Sequence, residues 1–568
     1  MTRRACFVVA FAILVGCAPP RQDREVLRDV YQPTIGTAPP AEPLGDSVAK
    51  LRDDLRSPAG RAFVARLIPD QAGVLWLSLI VILVVAFDFE RIRSRRNVDL
   101  LLLFALGLVF FDVMQFFGVL GRPHYWKLLD FVFVSAFVIN GALAIRALLR
   151  ARGPLTAVRR PLSDEAWRPN LGVRPLAAIA MLLLALNVCV ALIREPDDAG
   201  YFVNLGAQRL RERGLMPYGD PLLTGTPGAA YGPVLYAAHV PFQFLLEPRP
   251  PNIDSPDRPV LGDRSTYYLP LPLATKLCTI FLHLVGVISL FVAAKRWTGD
   301  SPVAWGLVAL YCGSASVLGI GGTDFAIGGI AFISHIGPTS LTLAALAMLH
   351  RPAASGALLA AAAGAGFYPA FFLPAWLAYH WRDRPRLLRF AAAFAAATAI
   401  ICGATYVLSR PAGGRGRIGT ILYDTLGHHT DPGGYGRSQF GFWGQRGGLR
   451  GWLTKPLAGE SSLTTPAYLV FFVVVALTAV MALRAAAWQL ALLSAALAIG
   501  AHLLKIHSTG TYVAWAYPLL LLGFFTSDRG PRTADSRRWT SDSGPRTSDS
   551  GPRTSDSGPR TADGGLQA

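Results

Sequence analysis

The sequence predicts an all-α fold: a polytopic helical membrane protein with about thirteen transmembrane helices, long extracytoplasmic loops and a disordered C-terminal tail. Three observations predict it. Of the 568 residues, 52% are hydrophobic and only 16% are charged, where a soluble chain carries about 25% charged residues. The apolar residues fall in blocks of about 15–22, the length that spans a bilayer at 1.5 Å rise per residue. Basic residues gather in the short turns on one side of those blocks, as the positive-inside rule requires. A β-barrel would give short alternating segments instead.

The elements follow in order. Residues 1–17 carry Arg3 and Arg4, a short apolar run and Leu14-Val15-Gly16-Cys17, the form of a bacterial lipoprotein signal with Cys17 as the lipidated residue. An ordinary signal segment or short first helix, with Cys17 incidental, is the alternative. Either places residue 20 outside the cell. Residues 18–70 are an extracytoplasmic linker rich in Pro, Ala and charge, with an amphipathic stretch at 47–67. Residues 71–174 hold three N-terminal spans, at 73–89, 100–120 and 129–149. Asp112 falls inside the second, without an assigned role.

Residues 175–526 form the main membrane domain. Its first span, 175–193, opens onto a long polar loop at 194–272. Spans at 273–294, 303–321 and 338–349 follow, then a helical hairpin at 355–381 and a span at 390–408. A second long loop, 409–465, precedes spans at 467–483, 487–504 and 511–525. Residues 527–568 carry a seven-residue repeat, Gly544-Pro-Arg-Thr-Ser-Asp-Ser550, with no apolar face to bury, so this tail is expected to be disordered and cytoplasmic.

The net charge of +18 would suggest nucleic acid in a soluble protein. Here the Arg and Lys lie largely in short loops between spans, so the lipid bilayer is the partner and nucleic acid is excluded. The six cysteines show no CxxC or Cys/His spacing, which argues against a disulfide framework or a zinc site.

The long loops hold the residues suited to chemistry, because loops of this length in a compact membrane domain are usually functional. The first opens with Asp197 and Asp198 beside the apolar span, followed by Tyr201 and Asn204 on an amphipathic helix running to Arg213. Charges so close to a bilayer are costly and usually functional; the alternative is an N-cap for the helix that follows Pro196. The turn Pro217-Tyr218-Gly219-Asp220 and the string Tyr231-Gly232-Pro233 come next. The apolar run 234–246 is too short to span and suits a helix lying in the membrane interface. The second loop is rich in Gly and Arg and carries His428, His429 and Arg437. Lys505, His507, Tyr512 and Trp515 lie around the last outward-facing turn. A solvated His pair, a solvated or snorkelling cation, and an aromatic belt are the alternative readings of these groups.

The order of the pieces resembles the GT-C superfamily of polyprenyl-phosphate-dependent glycosyltransferases, in particular its bacterial mannosyltransferase-like branch. The resemblance rests on Asp198-Ala-Gly-Tyr201, Gly214-Leu-Met-Pro217-Tyr218, Tyr231-Gly-Pro233, Lys295-Arg296-Trp297-Thr298-Gly299 and Ser508-Thr-Gly-Thr-Tyr512-Val-Ala-Trp515-Ala-Tyr-Pro518. It covers roughly 175–525. Three additional spans precede the usual first helix, and Phe367-Tyr368-Pro369 stands where relatives often carry a Lys.

The resemblance implies an integral-membrane glycosyltransferase of the bacterial inner membrane, working at its extracytoplasmic face. It would move a sugar from a polyprenyl-phosphate donor to an extracytoplasmic lipid or glycan acceptor. That chemistry needs a carboxylate to deprotonate the acceptor hydroxyl and cations facing the departing phosphate. Asp198 is the expected base, with Asp197 as a neighbour that shifts its pKa or shares a divalent cation, Mg or Mn. Arg437, His428, His429, Lys505 and His507 are the phosphate-side candidates; Tyr201, Asn204, Tyr218, Tyr231, Tyr512 and Trp515 are expected to line the substrate. A transporter or flippase of lipid-linked material, and a GT-C-like scaffold without activity, are the competing readings.

Overall fold

A computed structural model describes residues 71–118, 122–152, 167–193, 196, 198–246, 271–318, 320–322, 325–327, 333–427, 464–504 and 510–526. All lie in the first of two compact units, which divide at Gly530 and Pro531. Cys17, the linker helix expected at 47–67 and the repeat tail lie outside the described residues.

The described chain is helical. Three helices come first: α1 Gln71–Val85, α2 Arg95–Gly118 and α3 Arg122–Ala151. α4 (Val173–Ile193) leads to α5 (Asp198–Arg213) and α6 (Pro233–Leu246). α7 (Pro272–Thr298), α8 (Ser301–Cys312) and the single turn α9 (Ala315–Leu318) follow. The described residues also form one antiparallel strand pair, β1 (Ile320–Gly322) and β2 (Phe325–Ile327), in which Ile320 faces Ile327. Then come α10 (Ile333–Ala347), α11 (Pro352–Gly366), α12 (Leu373–His380), α13 (Arg384–Leu408) and α14 (Arg417–Leu422). α15 (Thr464–Ala482), α16 (Ala487–Leu504) and α17 (Tyr517–Thr526) close the chain's described part.

Among the described residues four helices are long and apolar enough to cross a membrane: Val173–Leu192, Pro272–Thr298, Arg384–Leu408 and Ala487–Leu504. Other apolar helices are shorter, at 10–17 residues. Two spans read as continuous are broken. The one expected over 303–321 stops at Gly313, whose N–H returns to the Ala309 carbonyl at 2.9 Å and where a Cβ would press on Val81. The one expected over 511–525 begins as a 3-10 turn, Gly510–Trp515, before α17. The 355–381 hairpin turns through a 3-10 segment, Tyr368–Phe372. Its lead residue, Phe367, has φ 56° and is the only non-glycine residue with positive φ among those described. A bulky side chain there is strained by about 1–3 kcal/mol, which the surrounding packing must hold.

Helix ends follow their local chemistry. α7 stops at Gly299, left-handed at φ 69°, after Lys295 and Arg296 in its last turn. α13 starts at Asp383, whose carboxylate accepts from the Arg386 N–H at 3.1 Å. Small residues let helices approach closely. Gly356 of α11 lies against the Phe390 carbonyl of α13, where a Cβ would overlap, and Gly286 of α7 lies against Ser340 of α10. The three N-terminal helices are tied to the rest. Buried Asp99 pairs with Arg146 and Arg150, and Arg150 also donates to the Phe524 carbonyl at 3.1 Å. Gln489 donates to the Ala151 carbonyl at 2.8 Å. The core runs continuously from Val81 and Leu100 through Leu307 and Leu346 to Leu521.

Candidate functional site

The first loop and the root of the second fold into one hydrogen-bonded body around a buried carboxylate. α5 begins at Asp198 and packs its buried face, Val203, Asn204, Ala207 and Gln208, on α6. Gly206 permits this approach, since a Cβ there would overlap the Tyr236 ring. Gln243 donates to both the carbonyl and the side-chain oxygen of Asn204 at 2.7 Å, and Asn204 donates to the Leu271 carbonyl at 3.0 Å. His239 meets the Thr275 hydroxyl at 3.2 Å, and that hydroxyl donates to the Gly200 carbonyl at 3.0 Å. These bonds fix the helix whose first residue is Asp198 to α6 and α7.

The turn after α5 is held from three sides. Arg209 and Asp220 form a buried ion pair, and Asp220 also accepts from the Leu222 N–H at 3.0 Å. Tyr218 is fully buried and its hydroxyl donates to the Tyr231 carbonyl at 2.6 Å. Burial, reinforced by Tyr236 and Asp424 nearby, raises the Tyr218 phenol well above its ordinary value, so it serves as a donor and not as a base. The Tyr236 hydroxyl donates to the Gly228 carbonyl at 2.8 Å and accepts from the Tyr231 N–H at 3.1 Å.

The third side is the second loop. The Met216 N–H donates to the Leu408 carbonyl at 2.8 Å and the Arg410 N–H to the Tyr218 carbonyl at 3.1 Å. Asp424, 0% exposed, accepts from the N–H groups of Gly219 and Gly225 at 2.9 Å each, and from the Thr224 hydroxyl at 3.4 Å. Both glycines have positive φ, 78° and 75°, and a Cβ on Gly219 would overlap the Arg410 carbonyl oxygen. Only glycine fits that position. Burial raises the Asp424 carboxyl above its ordinary value, against the opposing pull of the two amides, the Thr224 hydroxyl and Arg415.

A second cluster gathers at the 3-10 turn 510–515. Trp515 stacks on Tyr368 at 4.0 Å and 11°. Tyr512 lies 4.4 Å from the His335 ring and 5.5 Å from that of His502. The Thr339 hydroxyl donates to the His335 carbonyl at 2.8 Å and lies 2.9 Å from the Tyr368 hydroxyl. Residues from α10, α16 and the strained turn at Phe367 thus converge on Tyr512 and Trp515, both buried. α10 also touches α5, so one helix borders both clusters.

Of the residues expected from sequence, the structure brings Asn204, Tyr218 and Tyr231 into the first cluster and Tyr512 and Trp515 into the second. Tyr201 is half-buried on α5. Asp198 is described as the first residue of α5, without its side chain. Asp197, His428, His429, Arg437, Lys505 and His507 lie outside the described residues. Sequence reasoning missed Arg209, Asp424, His335 and His502, and noted Tyr368 only within the string Phe367-Tyr368-Pro369. Asp220 was visible only as part of a turn. Among the described residues no group of three or more His, Cys, Asp or Glu side chains is placed to hold a metal ion. The chain matches no family model, no curated protein and no solved structure.

Proposed function

We propose that this chain is an integral-membrane glycosyltransferase that moves a sugar from a polyprenyl-phosphate donor to an extracytoplasmic lipid or glycan. About thirteen crossings, with both long loops on the outer side, are part of this reading. The observation that carries it is the joining of the two loops. The helix headed by Asp198 and the root of the segment bearing His428, His429 and Arg437 belong to one hydrogen-bonded body. The reaction requires such a body, because a base and a phosphate-binding group must be held on opposite sides of one anomeric carbon.

In this reading Asp198 takes the proton from the acceptor hydroxyl as its oxygen attacks C1 of the sugar. The bond from C1 to the phosphate oxygen breaks, and the departing lipid phosphate takes the electron pair. His428, His429, Arg437, Lys505 and His507 are the groups proposed to meet that charge. Displacement by direct attack inverts C1. Asp197 with Asp198 would hold a divalent cation, Mg or Mn, if one takes part. Tyr201, Tyr231, Tyr512 and Trp515 are proposed to line the substrate.

The test supplies membranes containing the chain with radiolabelled polyprenyl-phosphate mannose, glucose or arabinose. Label should reach a new product with the wild type and not with Asp198→Asn at equal protein level. Transfer that survives the substitution would move the base elsewhere, first to Asp197.

One observation favours transport as a second reading. His283 of α7 and Asn187 of α4 are fully buried within apolar helices, 3.4 Å apart. His283 Nδ1 and Asn187 Oδ1 have no partner among the described residues. Intramembrane polar groups of this kind mark substrate or proton paths in transporters. Movement of labelled lipid between leaflets of proteoliposomes, lost in His283→Leu, would support it.

A further inference from the structure

We propose that Asp424 is a positioning residue, a latch whose carboxylate makes the turn at 216–226 and the segment 409–427 one unit, so that the two hold or loosen together. The proposal does not depend on sugar transfer.

The geometry leaves Asp424 no other role. Both carboxylate oxygens are occupied, one by the Gly225 N–H at 2.9 Å, the other by the Gly219 N–H at 2.9 Å and the Thr224 hydroxyl at 3.4 Å. The side chain is fully buried, so it cannot reach a substrate. The charge is set against backbone dipoles, a concave arrangement of N–H groups that favours an anion. Those N–H groups belong to a segment about 200 residues earlier in the chain, with separations of 199 to 205.

The latch sits in the middle of a relay. On one side the turn is tied to α5 by the Arg209–Asp220 ion pair, and α5 begins at Asp198. On the other side Asp424 lies in a π-helical turn, Tyr423–Gly427, that continues directly from α14. Thr420 of α14 accepts from the Ala412 N–H at 3.0 Å, and the Arg410 N–H holds the Tyr218 carbonyl. Coupling is reciprocal, so loosening either segment at this joint loosens the other.

Amide hydrogen exchange on the full chain in lipid nanodiscs tests this. In the wild type Gly219 and Gly225 should be protected. Asp424→Ala should lower protection about tenfold in peptides covering 216–226 and 409–427 together, with α13 unchanged as the reference for global folding. Asp424→Asn keeps one oxygen acceptor and should restore protection at one glycine only, whereas the isosteric, apolar Asp424→Leu should restore neither. Rescue by Leu equal to that by Asn would reduce Asp424 to a space-filling residue and overturn the proposal. So would loss confined to 409–427. If the Asp424 variants do not fold, Gly219→Ala attacks the same joint from the other loop. Its peptides at 216–226 and 409–427 should loosen together, and independent behaviour of the two would be equally fatal.

Discussion

Two fully buried carboxylates, Asp99 and Asp424, solve the same problem in opposite ways. Asp99, near the start of α2, takes two guanidinium groups, from Arg146 and Arg150 of α3. Asp424 forms no ion pair among the described residues and takes two backbone N–H groups and a hydroxyl instead. The first arrangement joins regular helices, through side chains long enough to reach across. The second shapes irregular backbone, where the N–H groups of two glycines at positive φ converge on a short Asp. Guanidinium groups therefore join α2 to α3, whereas backbone N–H groups join the two loops to each other, beside the Arg209–Asp220 pair inside the first loop.

This contrast breaks most visibly at Asp99. Asp99→Ala should cost about 2–3 kcal/mol, below the 3–5 kcal/mol of a fully enclosed pair because both arginines are partly exposed. Retention of monodisperse protein after stepwise heating measures it; a loss under about 0.5 kcal/mol would deny the clamp its role. Gly219→Ala comes next, at about 1–3 kcal/mol, from a left-handed φ and the overlap with Arg410. Its cost should be confined to the loops and leave α2 and α3 intact in limited proteolysis. Tyr218→Phe should cost about 1 kcal/mol by removing the donor to the Tyr231 carbonyl, read as the same local loosening.

The pH response gives the smallest effect and sharpens the comparison further. Burial raises the Asp424 carboxyl above its ordinary 3.8, so the folded state holds this proton more tightly than the unfolded state does. The stability contributed by this group is fully present below the ordinary value and is lost as pH rises through the folded value. Mild acidification from neutrality should therefore not weaken the fold through Asp424. The difference in thermal midpoint between wild type and Asp424→Asn should shift in favour of the wild type as pH falls. A difference independent of pH from neutrality to about pH 4 would show that the carboxyl titrates alike in both states.

The helices were legible in the sequence, for physical reasons. A run of 20 apolar residues needs no tertiary partner to be read, and the 13-residue run after Pro233 was read as too short to cross, in keeping with the 14-residue α6. The loop's first helix, α5, was legible from its amphipathic pattern. The break at Gly313 was not, because Gly within an apolar run carries no local sign of the Val81 side chain that needs its space. The site was legible only in part. Tyr218, Tyr231, Tyr512 and Trp515 stood out as aromatics in loops and come together in two clusters. Asp424 did not stand out, because its donors lie 199 to 205 residues away. His335 and His502 were hidden by apolar neighbours on α10 and α16, and Arg209 carries no local sign of its partner Asp220, eleven residues on.

The most direct single measurement sets wild type, Asp198→Asn and Asp424→Asn side by side for transfer of radiolabel from polyprenyl-phosphate hexose, with loop hydrogen exchange followed in the same preparations. Wild type should transfer. Asp198→Asn should lose transfer at least about a hundredfold while its loops exchange as in wild type, as expected for loss of a general base. Asp424→Asn should lose transfer in proportion to the loosening of residues 216–226. Undiminished transfer by Asp198→Asn would contradict a base at the head of α5, and no transfer by the wild type from any of the three donors, with acceptor-bearing membranes present, would contradict the assignment of this chain as a glycosyltransferase.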